Sequence, residues 1–374
     1  MSLNISLISS FAPAGMFSSN EFELIKEAVG ESFQGKQITL DAYIFMESDS
    51  GFLSNEFGNG RQMSAFQFLE ELRGQNLSDV VEQLITRNKC HPPIALTSFL
   101  PEISQHVDAE NEKRILDAVV GLFRIAIQIG VETGQTPVVQ MVAGNMLDRV
   151  ESLGDSSTNK FCIVSADENS SYHMVLHRLS ACFKSLSDEF ENQPEYLLSL
   201  DKLRIAFELE PGPLYLLDGP MSIVRFCQLI ENHENPAIQK HIGFNLDIAH
   251  WWLKNIRPEF IEGPLKYLAT EYPNGIDDEI FRYPEPLLKN RIFHSHISGH
   301  SRRAHFGDIS LSMMAEEDKQ LYIAWLSKLV ELSQTEGTEF SGYVSLEFEA
   351  ARSRSCVVDS TLELLNLLDR ANPD

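Results

Sequence analysis

Residues 203–211 read LRIAFELEP. Successive side chains of a strand point to opposite faces. Ile205, Phe207 and Leu209 therefore share one face, and Ala206, Glu208 and Glu210 the other. Alone, this pattern also fits a solvated edge strand, so other segments must decide. In IGFNLDIAH (242–250), Phe244, Leu246 and Ile248 oppose Gly243, Asn245 and Asp247. In GYVSLEFE (342–349), Val344, Leu346 and Phe348 oppose Tyr343, Ser345, Glu347 and Glu349. RIFHSHIS (291–298) sets His294, His296 and Ser298 on one face. Four strands thus carry the same apolar and polar division.

Helical stretches separate these strands, such as MSIVRFCQLIE (221–231) and the segment from about 318 to 334. Upstream, NISLISS (4–10), QITLDAYIF (37–45), PIALTSFL (93–100) and PVVQMVAG (137–144) supply four more strands. ILDAVVGLFRIAIQIG (115–130) is apolar at helical spacing and ends on a glycine, a common helix stop. Repeated strand–helix units build a parallel sheet. Eight of them predict an α/β fold, a closed (β/α)8 TIM barrel with insertions in the βα loops. Such a barrel takes ~250 residues. The whole chain, 1–374, is read as a single barrel domain, with the excess near 46–75 and 251–290.

Barrel strands normally pack apolar side chains outward under the helices and inward as well. Here the inward face is polar, and the polar residues lie toward the strand C-termini, where barrel active sites are built. Burying such groups unpaired costs several kcal/mol each. A metal ion resolves that cost. Glu210, Asp247, His296 and Glu347 come at corresponding depth, and three carboxylates with one imidazole suit one divalent ion. The donor set fits Mn, Zn, Co or Mg without choosing among them. Glu349, one layer further out, is the rival of Glu347.

Composition excludes several classes. Thirty Lys and Arg stand against 54 Asp and Glu, a net charge of −24 that repels phosphate backbones and argues against a nucleic-acid partner. The five cysteines form no C-x-x-C pair and read as reduced thiols of a cytoplasmic protein. No apolar run approaches the ~18 residues of a membrane span. A homo-oligomer stays open.

ELEP, DIAH, HSHISGHSRR and YVSLE, in this order on successive strands, resemble the xylose-isomerase-like barrel superfamily. That group includes sugar isomerases, ketose 3-epimerases, inosose dehydratases and the endonuclease IV type. The resemblance covers about 203–350; HFGD (305–308) stands where the family carries a glycine-rich PGxG. It implies that Glu210, Asp247, His296 and Glu347 hold one divalent metal. It also implies that His250 and Arg302 bind hydroxyls of a small polyhydroxylated substrate. The implied activity is an isomerase or epimerase of a sugar, sugar phosphate or related polyol. Glu210 and Glu347 would move the proton α to a carbonyl, and the 251–290 insertion would serve as a lid. A metal-dependent hydrolase on the same barrel, or a non-catalytic metabolite-binding barrel, are the alternatives. An endonuclease of this type needs more histidines from the first half, where His91 and His106 are few.

Overall fold

The computed structural model describes residues 3–8, 25, 27–30, 38–45, 77–79, 81–82, 92–98, 100–105, 107–144, 147–149, 161–163, 168–212, 215–273, 278–301, 306–347 and 354–372. Eight strands close into a barrel. They are β1 (Asn4–Ile8), β2 (Ile38–Phe45), β3 (Ala95–Ser98), β4 (Val138–Val142), β5 (Arg204–Glu208), β6 (Ile242–Asp247), β7 (Ile292–Ile297) and β8 (Tyr343–Leu346). Each pairs in parallel with its sequence neighbour. β8 closes the ring on β1, from Asn4 opposite Tyr343 to Leu7 opposite Leu346. The eight-stranded TIM barrel expected from the strand pattern is therefore present.

The outer layer follows helix chemistry. α1 (Ala109–Thr133) opens on Asp108, whose carboxylate accepts the Asn111 N–H at 2.8 Å. It buries Ile115, Val119, Leu122, Ala126 and Ile129, three or four residues apart, and stops at Gly134, whose φ of 77° is left-handed. Further helices are α2 (Glu168–Glu189), α3 (Pro194–Lys202), α4 (Pro220–Glu231), α5 (Pro236–His241), α6 (Ile248–Leu253), α7 (Pro264–Glu271), α8 (Glu316–Gln334) and α9 (Arg354–Ala371). No helix among the described residues is long and apolar enough to cross a membrane.

The barrel interior is layered. Its floor is apolar: Ile94, Ala95, Val138, Ala206, Phe293 and Tyr343 pack together. Phe293 reaches the floor through a bulge. Phe244 stands opposite Ile292, but the next residue, Asn245, stands opposite His294, so Phe293 is the extra residue of β7. Gly243 makes the room. A Cβ there would meet the Phe293 ring at 2.5 Å and the Arg291 carbonyl closer still. Above this plug the inward residues turn polar.

The 251–290 segment, expected as a lid, packs on the outer helices over much of its described length. Phe260, Ile261, Leu265, Leu268 and Ile280 are buried, and Trp251 meets Phe260 and Trp325 edge to face. Gln228 of α4 donates to the carbonyls of Ile280 and Pro284, and Lys328 of α8 pairs with Glu262 at 2.7 Å. These contacts bind the segment to the outer helices, so its described residues buttress the flank of the barrel. The 46–75 insertion lies outside the described residues.

Candidate functional site

Four side chains converge at the C-terminal end of the barrel. Glu208 ends β5, Asp247 ends β6, His296 sits near the end of β7, and Glu347 follows β8. One ligand atom from each lies within 4.8 Å of all the others. His296 Nδ1 is 2.8 Å from Glu347 Oε2 and 3.4 Å from Glu208 Oε2. Asp247 also starts α6: its Oδ1 accepts the His250 N–H at 2.8 Å. Its other oxygen, Oδ2, is buried and has no hydrogen-bond partner among the described residues.

The structure brings together Asp247, His296 and Glu347 from the set expected on sequence, and adds Glu208 where Glu210 was expected. The register explains this. Asp247 pairs with His296 and His296 with Ser345, whereas Glu208 pairs with Asn245 one step lower. A glutamate side chain is long enough to reach up that step. The chain leaves the ladder after Glu208, and the Glu210 N–H bonds the Leu217 carbonyl instead. The Glu210 carboxylate gathers with Glu208 and His250 beside the four. His250 Nδ1 lies 3.2 Å from Glu208 Oε1 and 3.0 Å from the Leu209 carbonyl. Arg302 and Glu349 lie outside the described residues.

The first half of the chain contributes residues that the motif reading did not find. Asp41 of β2 is fully buried, with Oδ2 3.1 Å from His296 Nε2 and 3.2 Å from His294 Nε2. Thr97 of β3 donates to Asp41 Oδ1 at 2.6 Å. Gln140 of β4 and Asn245 both donate to Glu208 Oε2, the latter at 3.1 Å. The signal was there in the same alternation: Thr39 and Asp41 share a face in ITLDAYIF, Thr97 follows the apolar IAL of its strand, and Gln140 interrupts VVQMV.

Burial and crowding set the charges. Burial pushes the Glu210 carboxyl up to about 8 and the Glu347 carboxyl up to about 7, with neighbouring carboxylates adding to both. Asp247 is raised for the same reason. Burial opposes the charge on Glu208, but His296 and the bonds from His250 and Asn245 outweigh it and hold the carboxyl low. Burial also disfavours charge on His250 and His296. The surrounding carboxylates overcome it, Asp247 and Glu210 around the first, Glu347 and Glu208 around the second, and raise both well above the ordinary range. Several acids thus compete for few cations in a buried cluster, the setting in which functional groups acquire shifted protonation.

No family model matches the chain, and no curated protein matches it. Solved structures similar to it include a D-allulose 3-epimerase from Methylomonas sp., 10% identical, with 98% of this chain and 96% of that one covered at a TM-score of 0.46. Another is 3-keto-D-glucoside 4-epimerase from E. coli, 12% identical, covering 87% of this chain and 99% of that one at 0.43. A xylose isomerase domain protein from Alicyclobacillus acidocaldarius is 13% identical, covering 98% and 99% at 0.47. These likenesses are distant, and the barrel is established by its own strand register.

Proposed function

We propose that the chain is a divalent-metal-dependent isomerase or epimerase of a sugar, sugar phosphate or related polyol. The observation that carries this is the buried cluster of Glu208, Asp247, His296 and Glu347, with an Asp247 Oδ2 that has no partner among the described residues. An orphaned buried carboxylate oxygen costs about 1–3 kcal/mol or more. Three carboxylates and an imidazole fit one ion of the Mn, Co, Zn or Mg kind. When bound, the ion would polarise a substrate carbonyl and its neighbouring hydroxyl.

The chain's own groups account for the proton transfer. Glu208 takes the ligand position expected of Glu210, which leaves Glu210 free to exchange protons. Burial raises both carboxyls above the ordinary range in the metal-free chain, so both can take up and release a proton nearer neutral pH than a free glutamate does. Glu210 and Glu347 are therefore the acid/base pair acting on the carbon α to the carbonyl. Glu208 and the Leu209 carbonyl fix the His250 ring through Nδ1 and leave Nε2 for a substrate hydroxyl. Arg302 is proposed as the second hydroxyl or phosphate contact. The net charge of −24 supports a small substrate over nucleic acid. The wide spacing of the five cysteines, with no C-x-x-C pair among them, supports residence in the reducing cytoplasm.

The test is solvent exchange. The protein is incubated in D2O with Mn2+, Co2+, Zn2+ or Mg2+ and a panel of ketoses, inososes and sugar phosphates. Deuterium at the carbon α to the carbonyl, lost in Glu210→Gln and Glu347→Gln, supports the reading. Hydrolysis without exchange, or exchange untouched by both variants, contradicts it.

A further inference from the structure

We propose that Asp41 is a positioning residue that aims His296 at the metal site from below. The inference rests on the metal reading above and adds a residue from the opposite side of the barrel. An imidazole that binds a metal through one nitrogen carries its proton on the other, and the partner of that second nitrogen fixes the ring. His296 has its two nitrogens in different surroundings. Nδ1 faces Glu208 and Glu347 in the four-residue cluster, and Nε2 faces Asp41 Oδ2 at 3.1 Å. Carboxylates only accept, so in the metal-free chain both nitrogens face acceptors; an ion among the four would displace the Nδ1 proton, while Nε2 keeps its own on Asp41 and leaves Nδ1 as the ligand atom.

Asp41 is itself held on every side. Thr97 donates to Oδ1 at 2.6 Å. His294 Nε2 lies 3.2 Å from Asp41 Oδ2 and 2.7 Å from Ser345 Oγ, so it serves as a brace. Ser341 lies 3.0 Å from His294 Nδ1, and Ser6 bonds Ser345 at 2.6 Å. Asp41, His294 and His296 are all fully buried. The ring of His296 thus stands on a packed hydrogen-bonded layer built from β1, β2, β3, β7 and β8. A ligand held this way is preorganised, and disturbing such an outer partner typically lowers metal affinity about 10–100-fold.

The experiment uses the full chain, freed of metal by chelation and titrated with Co2+ against a competing chelator, with visible absorption recorded throughout. In Asp41→Asn, affinity falls about 10–100-fold and the cobalt bands change shape, because the ring has lost its fixed orientation. Thr97→Val leaves both imidazoles intact and frees only Asp41. It shows the same spectral change with a smaller loss of affinity, and it decides the matter if Asp41→Asn does not fold. A purely structural Asp41 would lower the melting temperature of the metal-free protein and leave affinity and spectrum alone, which overturns the proposal. Two cobalt ions per chain, one of them lost in Asp41→Asn, would make the lower group an ion site and overturn it as well. A wild type that binds no cobalt would refute the metal reading itself, and the positioning role with it.

Discussion

Replacing Asp247 by Asn should stabilise the metal-free protein while destroying its response to metal. Asp247 Oδ1 caps α6 through the His250 N–H, and an asparagine oxygen accepts that bond equally well. The change falls on Oδ2, which is buried among other carboxylates with no partner among the described residues. Leaving such an atom unsatisfied costs about 1–3 kcal/mol. The asparagine amide puts two donors there, facing Glu208 and Glu347, and removes one of the competing charges. Asp247→Asn in chelator at about pH 8, where the wild-type carboxyl is most fully ionised, should gain about 1–3 kcal/mol in urea unfolding. Adding ion at about a hundred times its Kd should stabilise wild type by ~2.7 kcal/mol and leave the variant unmoved. A variant less stable than wild type in chelator would refute the claim that Oδ2 is an uncompensated ligand atom. So would a variant that metal stabilises as much as wild type.

Other outcomes follow from the same geometry. Glu210 and Glu347 titrate near 8 and 7 when folded, well above an unfolded glutamate, and His250 and His296 are raised above theirs. Burial holds His241 and His294 low and opposes this, but the raised groups, Asp247 among them, outnumber those two, so the folded state binds more protons than the unfolded one and stability is lost as pH rises from about 5 to 8. Urea midpoints across that range should fall for the chelated protein and stay flatter with metal bound. Gly243→Ala forces a methyl into the Phe293 ring and the Arg291 carbonyl and should cost about 1–3 kcal/mol, read by thermal unfolding. On any substrate found by the exchange screen, Glu347→Gln should lose about 10²–10⁴ in rate. Its metal affinity should fall less, because an amide oxygen still coordinates.

The barrel was legible because alternation and strand–helix repetition are local signals. All eight expected strands appear, including the four from the first half that carried no motif. Legibility failed where geometry is not local. The four-residue cluster takes Glu208 over Glu210 because β5 leaves the ladder after Glu208, and no spacing in FELEP announces that. The bulge at Phe293 depends on a glycine in the adjoining strand. Asp41 lies 255 residues from His296, and only closure of the ring brings β2 and β7 within reach of one carboxylate. The 251–290 segment read as a lid from its position in the chain. Its buried Phe260, Leu268 and Ile280 are what fix it to the flank, and sequence position alone does not say which surface they meet.

The most direct test of the central claim is the metal content of the natively purified chain, followed by anomalous diffraction at the edge of the metal found. The account predicts about one divalent ion per chain, placed among Glu208, Asp247, His296 and Glu347 and touching Asp247 Oδ2. A chain that stays metal-free with Mn2+, Co2+ and Zn2+ all supplied, or an ion bound elsewhere, would contradict it.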